Sequence, residues 1–167
     1  MRKLFLFLFI FSFIAVNAQL QRTLLGNNLG VTKKAQVIQN MKRKGKKVKI
    51  IESNLVQVED ITFGGEHWPY VYFRFYNDVL FHVYFQDTGF DTPRESLDYT
   101  WRNLRSSLKN KYSLYMIKDE EEEVRFGDNR TLISAEYSYF QGYKGVGITY
   151  YDIRLFKKVM QSNSDEL

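Results

Sequence analysis

Tyr70-Val71-Tyr72-Phe73-Arg74-Phe75-Tyr76-Asn77-Asp78-Val79-Leu80-Phe81-His82-Val83-Tyr84-Phe85-Gln86 decides the fold, because it is two alternating segments folded about a turn. Side chains of a strand point to opposite faces in succession, so each arm has two parities. In the first arm Val71, Phe73 and Phe75 alternate with Tyr70, Tyr72, Arg74 and Tyr76. In the second, Phe81, Val83 and Phe85 alternate with Leu80, His82 and Tyr84. A strict two-residue loop would put Tyr72 and Arg74 on the face of Phe81 and Val83. A three-residue loop over residues 77–79 gathers Phe and Val on one face and Tyr, Arg and His on the other. That loop is expected, since it yields one core face and one wet aromatic face.

Similar segments continue on both sides. Residues 47–52, 56–63, 113–118, 122–126, 132–140 and 146–156 are rich in aromatic and β-branched residues and read as strands. The short connections Asn77-Asp78, Gly127-Asp128-Asn129 and Gly142-Tyr143-Lys144-Gly145 suit antiparallel hairpins. Two helices are expected among them. In the first, Thr32 is the cap, Val37 and Met41 recur at helical spacing with Ala35 and Ile38, and Gly45 is the left-handed stop. In the second, Thr92-Pro93-Arg94-Glu95 reads as a capping box with proline in the first turn, and Leu97, Trp101, Leu104 and Leu108 form one stripe. Residues 19–30 read as an irregular lead-in. The fold class is therefore α+β, an antiparallel sheet with two packed helices. The order, one helix and about four strands taken twice, suggests an αββββ duplication that residue-level similarity between the halves does not establish.

The amino terminus is different in kind. Arg2 and Lys3 precede an apolar run over residues 4–16, followed by Asn17-Ala18-Gln19, the three regions of a secretory signal peptide. The run falls short of the ~20 residues needed to cross a bilayer. Cleavage is expected before Gln19, leaving residues 19–167 as a single domain exported to the periplasm or medium. No cysteine is present, so packing must stabilise the domain without disulfides, and thiolate nucleophiles and cysteine metal sites are excluded. Hydrophobic residues make up 44% and aromatic residues 17%, too much for a disordered chain. The closing Ser164-Asp165-Glu166-Leu167 approximates a lumenal retention signal and Asn129-Arg130-Thr131 a glycosylation acceptor, but a cysteine-free exported chain fits a bacterial envelope better.

Charge is segregated. Residues 19–51 carry +9 and residues 52–167 carry −6. The cluster Lys42, Arg43, Lys44, Lys46, Lys47 would suggest nucleic acid in a cytoplasmic protein; export redirects it to an anionic glycan or lipid surface, and no nucleic acid is expected. A solvated helix end and strand edge explains it as well. The acidic run over residues 119–123 reads as a hairpin tip that pairs with this cluster, since calcium loops need a different spacing. Only two histidines exist, so no metal centre and no cofactor is expected. Glu66 and His67, in a loop ahead of Trp68, are the pair on which a small hydrolase could be built, with Trp68 packing inward as the plainer reading. The strongest binding candidates are Tyr70, Tyr72, Arg74, Tyr76, His82 and Tyr84, because tyrosine suits surfaces that are apolar at one end and wet at the other.

A resemblance adds to this. Leu25-Gly26, Leu29-Gly30-Val31-Thr32-Lys33, Met41-Lys42-Arg43-Lys44-Gly45, Gly64-Gly65, Phe75-Tyr76-Asn77-Asp78, Leu108-Lys109-Asn110-Lys111-Tyr112 and Gly145-Val146-Gly147-Ile148-Thr149-Tyr150-Tyr151-Asp152, with the leader end Val16-Asn17-Ala18-Gln19, look like small exported proteins of Bacteroides-type bacteria. Some of these are similar in architecture to β-lactamase-inhibitor-protein-like folds, in which helices pack on an antiparallel sheet that binds other proteins. The resemblance implies a non-enzymatic binding or inhibitor-like module with an envelope or extracellular protein as partner. It brings no catalytic residues to this sequence.

Overall fold

A computed structural model describes residues 19–140 and 142–164. The expected leader and residues 165–167 of the closing tetrapeptide lie outside the described residues. A short hairpin, β1 (Thr23–Leu24) and β2 (Asn27–Asn28), leads into α1 (Lys34–Arg43) and four strands, β3 (Val48–Glu52), β4 (Leu55–Phe63), β5 (Glu66–Tyr76) and β6 (Val79–Asp87). Then come α2 (Arg94–Tyr112), a 3-10 turn (Ser113–Tyr115), β7 (Met116–Asp119), β8 (Glu123–Gly127), β9 (Thr131–Phe140), β10 (Tyr143–Asp152) and α3 (Ile153–Ser164). The chain is thus an α+β fold in which the αββββ order occurs twice.

Both halves share one sheet, in the order β3-β4-β5-β6-β10-β9-β8-β7. Each meander adds strands outward-in, and the last strands, β6 and β10, join antiparallel at the centre with Val146 opposite Asp87 and Tyr151 opposite His82. One face is dry. Val56, Val58, Val71, Phe73, Phe75, Leu80, Val83 and Phe85 are buried there, in one cluster with Val37 and Met41 of α1 and Leu97, Trp101, Leu108 and Tyr112 of α2. The expected helical stripes are therefore the faces that cover the sheet. Trp101 stacks on Tyr137 of β9, and Tyr112 lies against Phe126 of β8.

The expected three-residue loop is not what produces the clean face. Asn77 and Asp78 both take positive φ, 46° and 65°, and form a two-residue turn in which Tyr76 pairs Val79 and Phe75 pairs Leu80. The register then shifts between Arg74 and Phe75, so that Arg74 meets His82 and Phe81 is the extra residue. This bulge restores the sorting: Phe73 pairs Val83 and Val71 pairs Phe85 on the core face. A primed turn matches strand twist and suits Asn and Asp at positive φ, whereas the bulge leaves no local composition signal.

Other expectations are corrected as well. The lead-in is not irregular: it forms the β1–β2 hairpin and buries Leu20, Leu24 and Leu29 in the core. Thr32 does not cap α1, because its hydroxyl accepts the Asn28 N–H at 2.8 Å; Lys33 is the cap residue, and Gln36 Oε1 accepts the Lys33 N–H at 3.0 Å. Thr92 likewise donates to Asp87 Oδ2 at 2.8 Å, leaving Pro93 as the cap of α2 without a capping box. Residues 113–115 are a 3-10 turn rather than strand. Residues 153–156 are the start of a third helix rather than the end of a strand, since Asp152 Oδ1 accepts the Leu155 N–H at 2.9 Å, which is how a helix start is held.

A buried ion pair ties the lead-in to that helix start. Arg22 Nη2 lies 2.5 Å from Asp152 Oδ2, with side chains 15% and 5% exposed. The same guanidinium donates to Leu29 O, Arg130 O and Thr131 Oγ1, each at 2.8 Å. Gly30, with φ 76°, passes so close that an added Cβ would meet Asp152 Oδ2 at 2.3 Å.

Candidate functional site

The second face of the sheet carries the tyrosines. Cross-strand register aligns Lys49, Gln57, Tyr72, Tyr84, Thr149, Ser134 and Arg125 in one row. A parallel row runs from Glu59 through Tyr70, Gln86, Gly147 and Glu136 to Glu123. A third holds Leu55, Arg74, His82, Tyr151 and Leu132. Tyr70, Tyr72, Arg74, His82 and Tyr84 therefore do come together on this face, and Tyr76 stands half-buried beside the turn. Of the other strand tyrosines, Tyr137 and Tyr150 are buried against the helices, 6% and 2% exposed.

An aromatic rib crosses this face. Tyr72 stacks on Tyr84 with centroids 6.2 Å apart, Tyr84 lies 6.4 Å from His82, and His82 stacks on Tyr151 at 4.4 Å and 10°. Phe156 of α3 packs on Tyr151 at 4.9 Å, so α3 covers the His82 end of the face. His82 Nε2 is buried without a hydrogen-bond partner among the described residues. Burial first, and the nearby Arg74 second, push the His82 imidazole down to about 3. It is therefore a packed ring that is uncharged near neutral pH. Metal-ligating clusters of three or more His, Asp or Glu are absent among the described residues.

Tyr84 lies flat across β10. An added Cβ at Gly147 would come within 2.8 Å of Tyr84 Cε2 and Oη. The hydroxyl thereby reaches Glu136, which also hydrogen-bonds Ser138. Burial, and then the carboxylate of Glu123, raise the Glu136 carboxyl above its ordinary value. Burial is also the first cause raising the Tyr72 and Tyr84 hydroxyls, so both are neutral donors. Gly147→Ala is expected to displace Tyr84 and cost about 1–3 kcal/mol, the range for overpacking. A urea midpoint unchanged from wild type would contradict this close approach.

Glu66 and His67 are strand residues rather than loop residues, and they part. Glu66 Oε2 accepts from Thr100 of α2 at 3.4 Å, whereas His67 Nε2 lies 3.5 Å from the exposed Asp60 on the neighbouring strand. Successive strand side chains point to opposite faces, so the two do not converge on one substrate and the hydrolase expectation loses its geometry. Trp68 packs inward as expected, 1% exposed, with Nε1 donating to Phe63 O at 3.0 Å.

The basic cluster is divided among local bonds. Lys44 Nζ donates to Leu25 O at 2.6 Å and Lys46 Nζ to Asp60 O at 2.5 Å, while Lys47 lies 3.8 Å from Glu59. Arg43 bonds Asn40, and Lys42 is exposed in the last turn of α1. The expected pairing with the acidic run does not occur, because the cluster flanks β3 and the run lies by β7, at opposite edges of the sheet. Asp119 pairs instead with Arg105 and Lys109, each at 2.5 Å. The bond from Lys109, then that from Arg105, holds its carboxyl below the ordinary value against the effect of burial. Glu122 pairs with Lys144, and Glu123 with Lys118 and Arg125.

Two cavities were not foreseen. One, of about 310 Å³, lies between α2 and the sheet and is lined by Trp68, Leu104, Leu108 and Tyr150, with Tyr112 Oη buried and unpartnered among the described residues. The other, of about 490 Å³, opens at the Tyr70 end of the aromatic face. Contributions from the loop over residues 88–92 complete it, and no short motif in that loop could have announced them. No family model, no curated protein and no solved structure matches this chain.

Proposed function

We propose that this chain is an exported, non-enzymatic binding or inhibitor-like module of the bacterial cell envelope, and that its aromatic sheet face contacts a protein partner. One observation carries the reading. The central strands β5, β6 and β10 are covered by α1 and α2 on one face only, and the middle of the other face presents Tyr70, Tyr72, Arg74 and Tyr84. A solvated sheet face is ordinary in antiparallel proteins and is usually built of small polar and charged residues. Tyrosine and arginine are instead the residues enriched in protein interfaces. Export is proposed from residues 1–18. The anionic-surface reading has less behind it, because Lys44 and Lys46 are held by backbone carbonyls.

The test places a photo-crosslinking residue at Tyr72 and, as control, at the exposed Tyr99 of α2 in the exported chain. Partner adducts are expected at position 72 and not at 99, and Tyr84→Ser is expected to weaken the purified complex at least tenfold. The same preparation should begin at Gln19 on N-terminal sequencing. A complex indifferent to Tyr84→Ser overturns the binding face, and a cytoplasmic chain retaining residues 1–18 overturns export.

A further inference from the structure

We propose that the cavity at the Tyr70 end of the aromatic face receives an arginine or lysine side chain of a protein partner. This rests on the preceding reading that the face binds protein. Tyr70 and Tyr72 of β5 form one wall, and Phe90 and Tyr143 form another, their rings packed edge to face at 5.0 Å. Phe90 is 64% exposed and Tyr143 46%, so neither aromatic ring is accounted for by the core. Asp87 and Asp91 supply negative charge at the same cavity.

The Asp87 carboxylate is held in place. Its Oδ1 accepts the Gly89 N–H at 2.9 Å and its Oδ2 accepts the Thr92 hydroxyl at 2.8 Å. Gly89 in turn is wedged against β10: with φ 72°, an added Cβ would meet Lys144 O at 2.0 Å. The loop that carries Phe90 and Asp91 is therefore anchored at Asp87 and Gly89 rather than hanging free. The Asp87 bonds are local to the loop, and the close approach of Gly89 to Lys144 sets that loop against the strand that begins at Tyr143.

Charge selects the occupant. The chain has 24 lysines and arginines and a net charge of +5, yet among the described residues no lysine or arginine lines this cavity. Aromatic rings attract a cation through the negative potential of their faces, arginine most often among protein side chains, and a carboxylate nearby adds a charge-assisted bond. A purely aliphatic side chain would satisfy the rings but leave the carboxylates unpaired, and an acidic one would be repelled by both. A long basic side chain satisfies both, its stem lying on the aromatic walls and its head at Asp87 and Asp91.

Capped tripeptides with a central arginine, lysine, norleucine or glutamate, titrated into the mature protein and followed by NMR at Phe90 and Tyr143, test this directly. Saturable shifts are expected from the arginine and lysine peptides, with norleucine at least tenfold weaker and glutamate without effect. Phe90→Ser combined with Asp91→Asn should weaken the arginine peptide at least tenfold while leaving the urea midpoint in place. Equal binding of norleucine, or arginine shifts centred on Glu120 and Glu121 instead of the cavity, overturns the proposal. Tyr84 does not line the cavity, so Tyr84→Ser separates the two claims. Loss of the protein complex with retained arginine binding supports this cavity, and a Tyr84-dependent complex with no arginine binding sinks the cavity while sparing the face.

Discussion

Arg22→Met is expected to destabilise the domain by about 3–5 kcal/mol, the cost of leaving one member of a buried ion pair uncompensated. Arg22 is more than a partner for Asp152. Its guanidinium also satisfies the carbonyls of Leu29 and Arg130 and the hydroxyl of Thr131, which is fully buried. Methionine fills comparable volume and removes all four interactions at once, so the packing loss is minimised and the polar loss is read. Asp152→Asn keeps an oxygen to accept the Leu155 N–H while removing the charge, so the double variant Arg22→Met, Asp152→Asn should recover part of the loss. Urea unfolding at constant m-value measures both. A loss below about 1 kcal/mol for Arg22→Met, as for an exposed pair, would show that the node is not buried in solution.

A second large effect is a pH dependence centred on His82. Its folded value is pushed down to about 3, whereas the unfolded chain titrates near 6.5. Between these limits the unfolded state binds a proton that the folded state refuses. Stability is therefore fully present above about pH 6.5 and falls as the pH drops toward 3, by up to about 1.4 kcal/mol per unit. Groups facing the ring are Arg74 on β5, Tyr84 on its own strand and Tyr151 on β10, and none supplies a carboxylate to hold an imidazolium. His82→Phe keeps a ring against Tyr151 and removes the proton site. Between pH 7 and 4.5 the wild-type protein should lose about 2–3 kcal/mol more than this variant. Carboxylates, including Glu136 with its opposite sign, contribute to both proteins and drop out of the difference. Parallel pH curves for the two would mean that His82 is solvated.

Much of the fold was legible because it is written in periodicity. Leu97, Trp101, Leu104 and Leu108 could only be one face of a helix, and Val71, Phe73 and Phe75 only one face of a strand. The αββββ repeat could be read from element order, although one shared sheet could not, since no local signal records that β6 pairs with β10. Misreadings fell where tertiary bonds outcompete local ones. Thr32 and Thr92 look like caps and are occupied elsewhere, by Asn28 and Asp87. The third helix was missed because Ile153 to Phe156 extends a β-branched and aromatic run, while Asp152, the residue that stops it, looked like any strand-end acid.

The candidate site was legible to a similar depth. Tyr70, Tyr72, Arg74, His82 and Tyr84 were placed together by parity alone, and the bulge at Phe81 brings about the same sorting by another route. Glu136 and Gly147 escaped notice because they reach the face across β9 and β10, far away in sequence. Phe90 and Asp91 escaped because they sit in a connection, where side-chain direction has no period to betray it, and Tyr143 because the first residue of β10 read as part of the turn at 142–145.

The central seam also bears on how the chain reaches its native state. Every other pairing in the eight-stranded sheet joins strands that follow one another in sequence, so each meander can form from nearby residues, with small loop-closure entropy. Only β6 and β10 meet over a long separation, which makes their closure the slow, high-contact-order step. Until it is complete, each half presents an unpaired edge strand, β6 in the first half and β10 in the second, that runs antiparallel to the one it awaits. Two chains at high concentration can satisfy those edges mutually, so refolding yield should depend on concentration at this seam before it depends on any loop.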